Sequence, residues 1–258
     1  MKKEVVKANA LINAGYRLSL SEQQLILAGI AGVNSFNSEL SSGVFYRVYA
    51  KDLEIFMDIR HSYLTLKNAV NSLWEREFTV MVNKDGKTVP ERNRWIQSIR
   101  YLDGEGAVEL KFSDGVIPFL SSLTKNFTKY ELPDVKGFSS THSIRIFEWM
   151  MKWRIVGEFK LSVSEIKFML SIEDKYKLFS DFRKYVLEVA QREINTYTKY
   201  ELNLEFLKKG RVVDSIKFSF KASETTSSSN QINNETKPII SKRAQEMIDE
   251  ANRLKKSI

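Results

Sequence analysis

A mixed α+β architecture, one small unit built twice in tandem and followed by a polar tail, is predicted from three observations. Only 11 Gly and 4 Pro are spread over 258 residues, 43% of which are hydrophobic. That balance argues against a turn-dense all-β chain and for helices with a few strands around sizeable cores. Two pairs of segments align without gaps and in the same order in the two halves, which marks an internal repeat. The stretch ASETTSSSNQINNETK (222–237) is polar and devoid of aromatics, the composition of a disordered linker. The chain therefore divides at 1–133, 134–221 and 222–258.

The elements follow in order. SEQQLILAGIAGV (21–33) reads as a helix opened by a capping box from Ser21 to Gln24. YRVYAKDLEIFMDI (46–59) reads as a short strand running into an amphipathic helix. It aligns to FKLSVSEIKFMLSI (159–172), with Tyr46 on Phe159, Arg47 on Lys160 and Asp52 on Glu165. YLTLKNAVNSLWEREF (63–78) then aligns to FSDFRKYVLEVAQREI (179–194) at a constant offset of 116. Its apolar residues Leu66, Ala69, Val70 and Leu73 have the spacing of a helix burying one face. In the first half RWIQSIRYL, a turn at Asp103-Gly104 and AVELKF alternate as a strand pair. In the second half TKYELNLEFL, a turn at Lys208-Lys209-Gly210 and RVVDSIKFSF do the same. The second half opens on the helix SSTHSIRIFEWMMKW (139–153), started by Ser/Thr caps. After Pro238 a tail helix is expected, with Ala244, Met247, Ile248, Ala251 and Leu254 on one face.

Helix, short strand, helix, helix, hairpin is the order of a winged helix-turn-helix, whose third helix enters a DNA groove while the hairpin flanks it. Two tandem winged-helix domains are the predicted fold.

The net charge of +8 and pI near 9.4 imply a polyanionic partner. Residues 1–133 carry 17 Lys+Arg against 15 Asp+Glu, whereas residues 134–221 carry 17 against 12, so the basic excess lies in the second unit. Its third helix is expected to start at an N-cap Ser180 and to bury Phe182, Val186, Val189 and Ala190. Arg183 and Lys184 then stand near its N-terminal end, where Arg can pair bidentately with guanine. Lys175, Tyr176 and Lys177 form a basic approach loop, and Lys208, Lys209 and Arg211 sit on the hairpin turn. Arg145 is expected to reach a phosphate from the first helix of this unit. In the first unit the matching helix offers Lys67 and Asn68 beside Glu75 and Glu77. Weaker backbone contacts are expected there from Arg60, His61, Lys84, Lys87, Arg92 and Arg94, together with a protein interface.

The absence of Cys removes disulfides and thiolate chemistry and agrees with a cytoplasmic location. No apolar stretch near 18 residues and no long signal core are present, so neither a membrane partner nor a leader is expected. The two His residues, His61 and His142, lie far apart, which excludes the His pair of a rolling-circle nickase. No GxxxxGK[ST] phosphate loop exists, and Asp103, Glu105 and Asp114 belong to a predicted hairpin. A non-enzymatic DNA-binding protein without cofactor is the expectation.

Four runs resemble the iteron-type plasmid replication initiators, the Rep_3 family with two winged-helix domains. They are VKANALINAGYRLSLSEQQLILAGIAG (6–32), RWIQSIRYLDGEGAVELKF (94–112), FSSTHSIRIFEWMMKW (138–153) and DFRKYVLEVAQREINTYT with KKGRVVDSIKFSF (181–220). The resemblance implies binding to origin repeats called iterons, local duplex opening, and recruitment of the host initiator and replicative helicase. It also implies homodimerisation through the first domain, autorepression by dimers, and iteron reading mainly by the second. Arg183 and Lys184 would then fall in the recognition helix and Lys208, Lys209 and Arg211 on its wing. The helix start departs from some members in being less basic, with Tyr185 next to Lys184. A winged-helix transcriptional regulator without initiator activity is the alternative from the residues alone, and an interaction scaffold with incidental charge is a third.

Overall fold

The computed structural model describes residues 3–35, 40–56, 62–121, 123 and 125–222. Arg60, His61 and the expected tail helix lie outside the described residues. The chain opens with β1 (Glu4–Ala8), the single turn α1 (Asn9–Ile12), β2 (Gly15–Tyr16) and α2 (Leu20–Ser35). Next come β3 (Tyr46–Tyr49), a 3-10 turn (Ala50–Leu53), α3 (Ser62–Leu73), β4 (Glu77–Lys84), β5 (Lys87–Arg94), β6 (Ile96–Leu102), β7 (Ala107–Phe112) and β8 (Phe127–Glu131). The second half comprises α4 (Thr141–Lys152), β9 (Glu158–Ser162), α5 (Val163–Leu170), α6 (Phe179–Phe182), a π-helical turn (Arg183–Leu187), α7 (Glu188–Tyr197), β10 (Tyr200–Lys209) and β11 (Val212–Ala222).

The two halves repeat one topology. In the first, β7 lies between β6 and β3; in the second, β11 lies between β10 and β9. The aligned residues occupy equivalent places, Val48 pairing with Val108 and Leu161 with Ile216. Each sheet thus joins the strand after the first helix to the last strand of the wing, the winged-helix arrangement. Pleating sends alternate residues to opposite faces, and Val48, Val108, Leu110 and Phe112 line the buried face of the first sheet.

The repeat parts after α3. The aligned segment was expected to stay helical through Phe78, but α3 ends at Leu73 and Glu77 begins β4. β4 and β5 form an additional hairpin that joins β2 in a separate sheet. Its turn is Asp85-Gly86, both at positive φ (53° and 78°), with Asn83 Oδ1 accepting from Gly86 N at 3.1 Å. Two consecutive positive φ values suit the right-handed twist of a two-residue hairpin, and Asp-Gly adopts them at low cost.

The caps also differ in place. The first capping box is Ser19 with Glu22, not Ser21 with Gln24: Ser19 N donates to Glu22 Oε2 at 2.7 Å and Glu22 N to Ser19 Oγ at 3.3 Å. Gln24 is instead buried on the inner side of α2. α4 starts as expected, with Ser140 Oγ accepting from His142 N.

One buried apolar cluster runs through both halves, and residues 1–223 form one compact unit. α4 lies at the seam with all nine residues from Ser143 to Met151 buried. Arg145, expected on the surface, is 2% exposed. Its Nη2 donates to the carbonyls of Ile12 and Ala14 at 2.9 Å, its Nη1 to Tyr16 Oη and to Glu148 at 3.1 Å. A longer bond to Met169 O reaches α5. Glu148 also accepts from Lys7 Nζ at 2.6 Å and from Tyr130 Oη at 2.9 Å. A phosphate contact by Arg145 is thereby ruled out, because the guanidinium is occupied satisfying carbonyls that end short elements. Such a buried charge is tolerable only when paired and hydrogen-bonded. Close by, a side chain at Gly15 would place its Cβ 2.9 Å from Phe168 O, so only glycine lets β2 approach α5 this closely.

Candidate nucleic-acid interface

In the second half, α5 is opened by a complete capping box, Ser162 with Glu165, and closed by Ser171 at φ 48°. The loop that follows is pinned from below. Lys167 Nζ donates to Lys175 O at 3.1 Å and Tyr176 O at 3.0 Å, and Tyr176 takes φ 49°. Its ring packs against Tyr185 and Phe182, each at 6.5 Å between centroids. The basic approach loop expected from Lys175, Tyr176 and Lys177 is therefore held against the third helix.

That helix does not start on Ser180. Leu178 occupies the N-cap without a side-chain bond, and α6 begins at Phe179. Inside it, Glu188 N donates to Arg183 O, the i→i+5 bond of a π turn. The added residue per turn buries both Val186 and Leu187, with Phe182, Ala190 and Ile194 continuing the stripe. Val189, expected in that stripe, is displaced to a half-buried position. Arg183, Lys184 and Tyr185 face outward.

The wing meets them. Lys208 and Lys209 pair with Val213 and Val212 at the hairpin end, beyond a bulge at Leu207, and Gly210 turns the chain at φ 65° beside Arg211. Between helix and wing lies a concavity of about 520 Å³ lined by Ser180, Arg183, Lys184, Lys208, Glu188 and Phe206, among others. Arg183 forms an ion pair there with Glu188 at 2.7 Å. Lys175, Lys177, Lys184, Lys208, Lys209 and Arg211 form no ion pair with another described residue. Sequence reasoning missed Lys167, Glu188 and Phe206, because a π turn and a wing closing over a helix leave no periodic signal.

The equivalent face of the first half is neutralised. Lys67 pairs with Asp103 at 3.2 Å, and the hydrogen bonds of Tyr63 and Lys67 hold the Asp103 carboxyl below its usual range. Arg47 pairs with Glu105 and Glu109, Arg92 with Glu77, and Arg94 with Glu75 at 3.8 Å. Asn68 is exposed beside Lys67, and Lys84 and Lys87 flank the tip of the β4–β5 hairpin. No helix among the described residues is long and apolar enough to cross a membrane.

Fold and site together define a protein of two fused winged helices, the second carrying a cationic helix-and-wing face. Sequence comparison sharpens that class. The profile "Initiator Replication protein, WH1" matches residues 4–151 and "Initiator Rep protein, WH2" matches residues 162–220. The chain belongs to this family of initiator replication proteins. The first match includes α4, which sequence reasoning had grouped with the second half. A replication initiation protein of Escherichia coli is 30% identical over 224 residues, covering 83% of this chain and 68% of that one. The PI protein of Escherichia coli is 27% identical, covering 86% and 84%. The fold is shared with the crystal structure of Pi initiator protein in complex with iteron DNA (TM-score 0.68, 21% identity, 87% of this chain and 99% of that chain).

Proposed function

We propose that this protein initiates plasmid replication by binding duplex origin repeats, with the second winged helix as the principal reader. The observation that carries the reading is the convergence of Arg183, Lys184 and Lys208 on one concavity between recognition helix and wing. A winged helix lays its third helix in the major groove, where Arg183 and Lys184 would meet base edges. Lys208, Lys209 and Arg211 on the wing, with Lys175, Tyr176 and Lys177 on the approach loop, would contact sugar and phosphate, fixing register without reading sequence. The iteron complex of the structurally similar Pi initiator supports duplex repeats as the target.

The first half would play a different part. Its neutralised helix face leaves Lys67 and Asn68 weak phosphate ligands and suits self-association into a homodimer. Opening of the adjacent duplex, recruitment of a host initiator and helicase, and repression of its own gene by the dimer complete the reading. These steps, with action in the cytoplasm as a binding protein rather than an enzyme, are part of the proposal, and membership in the family of initiator replication proteins supports them.

The test uses the full chain and the DNA immediately upstream of its gene. Tandem repeats of about 20 base pairs should be retarded as a ladder, with affinity falling steeply as salt rises. Supercoiled DNA carrying them should become permanganate-reactive beside the repeats. Binding without opening reduces the protein to a regulator, and salt-insensitive or absent duplex binding ends the reading.

A further inference from the structure

One carboxylate sits among the cations of the concavity. Glu188 follows Arg183 by five residues, and its Oε1 accepts from Arg183 Nε at 2.7 Å. In an uninterrupted α-helix, residues five apart diverge by about 140° around the axis, since each residue turns about 100°. The π turn widens the helix between them and brings the two side chains to one face. From the wing, the Phe206 ring lies 4.9 Å from the Arg183 guanidinium carbon. The guanidinium is therefore held at its Nε edge by the carboxylate and lies over the Phe206 ring. Among the described residues neither terminal Nη has an acceptor, so the fork that fits guanine O6 and N7 is left open.

We propose that Glu188 and Phe206 are positioning residues that determine specificity: they fix Arg183 so that its fork meets a guanine edge instead of a phosphate. The proposal rests on the second winged helix being the reader of duplex DNA. An ion pair this exposed (51% and 43%) adds little to folding. A negative charge facing a polyanion also lowers affinity for every sequence. A residue that weakens all binding while orienting one reader improves discrimination at the expense of affinity.

The probe is the duplex that the full chain enriches from a randomised library, with its single-base-pair substitutions and a random-sequence control. Glu188→Ala should lower discrimination at one G·C pair roughly tenfold. It should also raise affinity for random duplex several-fold and steepen the salt slope by about one unit, because Arg183 becomes available to a phosphate. Phe206→Leu should lower discrimination at the same pair. In an Arg183→Ala background, Glu188→Ala should no longer alter discrimination there. Unchanged discrimination in either single variant, or an equal effect of Glu188→Ala without Arg183, overturns the proposal. Should Arg183→Ala itself leave the enriched duplex bound and read as before, the parent reading falls; if it loses the G·C preference while Glu188→Ala does not, only the brace is wrong.

Discussion

Arg145 and Arg183 look alike in the sequence, each a cation near the start of an amphipathic helix, yet burial divides them. Arg145 donates to the carbonyls of Ile12 and Ala14 in the core, and Arg183 lines an open concavity between helix and wing. Arg145→Met should destabilise the protein by about 3–5 kcal/mol in chemical denaturation, because Glu148 and two carbonyls lose a buried partner. A loss under 1 kcal/mol would mean the network is dispensable. His142 gives a pH signature. Burial, then the charges of Arg17 and Lys175, hold its imidazole down to about 4, from 6.5. Between those values the unfolded chain binds a proton that the folded chain refuses. Stability should be full above pH 6.5 and fall by up to about 1.4 kcal/mol per pH unit down to about pH 4. His142→Gln should flatten that slope; an unchanged slope assigns it elsewhere. Burial pushes Glu148 upward, but Lys7, Arg145 and the Tyr130 hydrogen bond outweigh it and keep its carboxyl below the ordinary range. Its contribution is likewise present above the unfolded carboxylate pKa and lost in more acid solution.

At the scale of elements, helix and wing carry different tasks, and their variants should separate. Arg183→Ala should cost about 1–3 kcal/mol on the preferred duplex and relax one base position. Lys208→Ala should weaken all sequences alike and flatten the salt slope by about one unit. Equal loss of discrimination in both variants contradicts the division. Elements whose geometry is set locally were legible in the sequence: α4 with its Ser140 cap, the two wings, and the strand-to-helix segment at β9, whereas after β3 the expected amphipathic helix is, among the described residues, the 3-10 turn Ala50–Leu53. The β4–β5 hairpin breaks the repeat: Asp85-Gly86 is a strong turn signal, but the alignment of Arg76-Glu77-Phe78 with helical residues of the second half masks it. The π turn was not legible at all. Phe182, Val186 and Ala190 satisfy an ordinary helical stripe, and only packing against the rest of the domain selects Leu187 over Val189.

At the scale of the whole molecule, the tandem winged-helix reading holds. Repeats imply two separable units, and the two sheets do share a topology, but the apolar interior is continuous across α4. Residue-by-residue patterns report which face is buried and not what it is buried against; Lys7 and Gly15 meet partners more than a hundred positions away, as Arg145 does at Ile12, Ala14 and Tyr16. Unfolding in denaturant should accordingly be a single transition, with far-ultraviolet dichroism coincident with the fluorescence of the four tryptophans. Two resolved transitions would show that the halves melt independently.

The close approach of β2 to α5 at Gly15 bears on how such proteins can be recombined. A chimera spliced after α4, joining this front half to the back half of a relative, would set Gly15 and the Arg145 guanidinium against a foreign α5 backbone. DNA preference should therefore be transplanted more safely by exchanging surface residues of α6, the π turn and the wing tip than by trading whole halves.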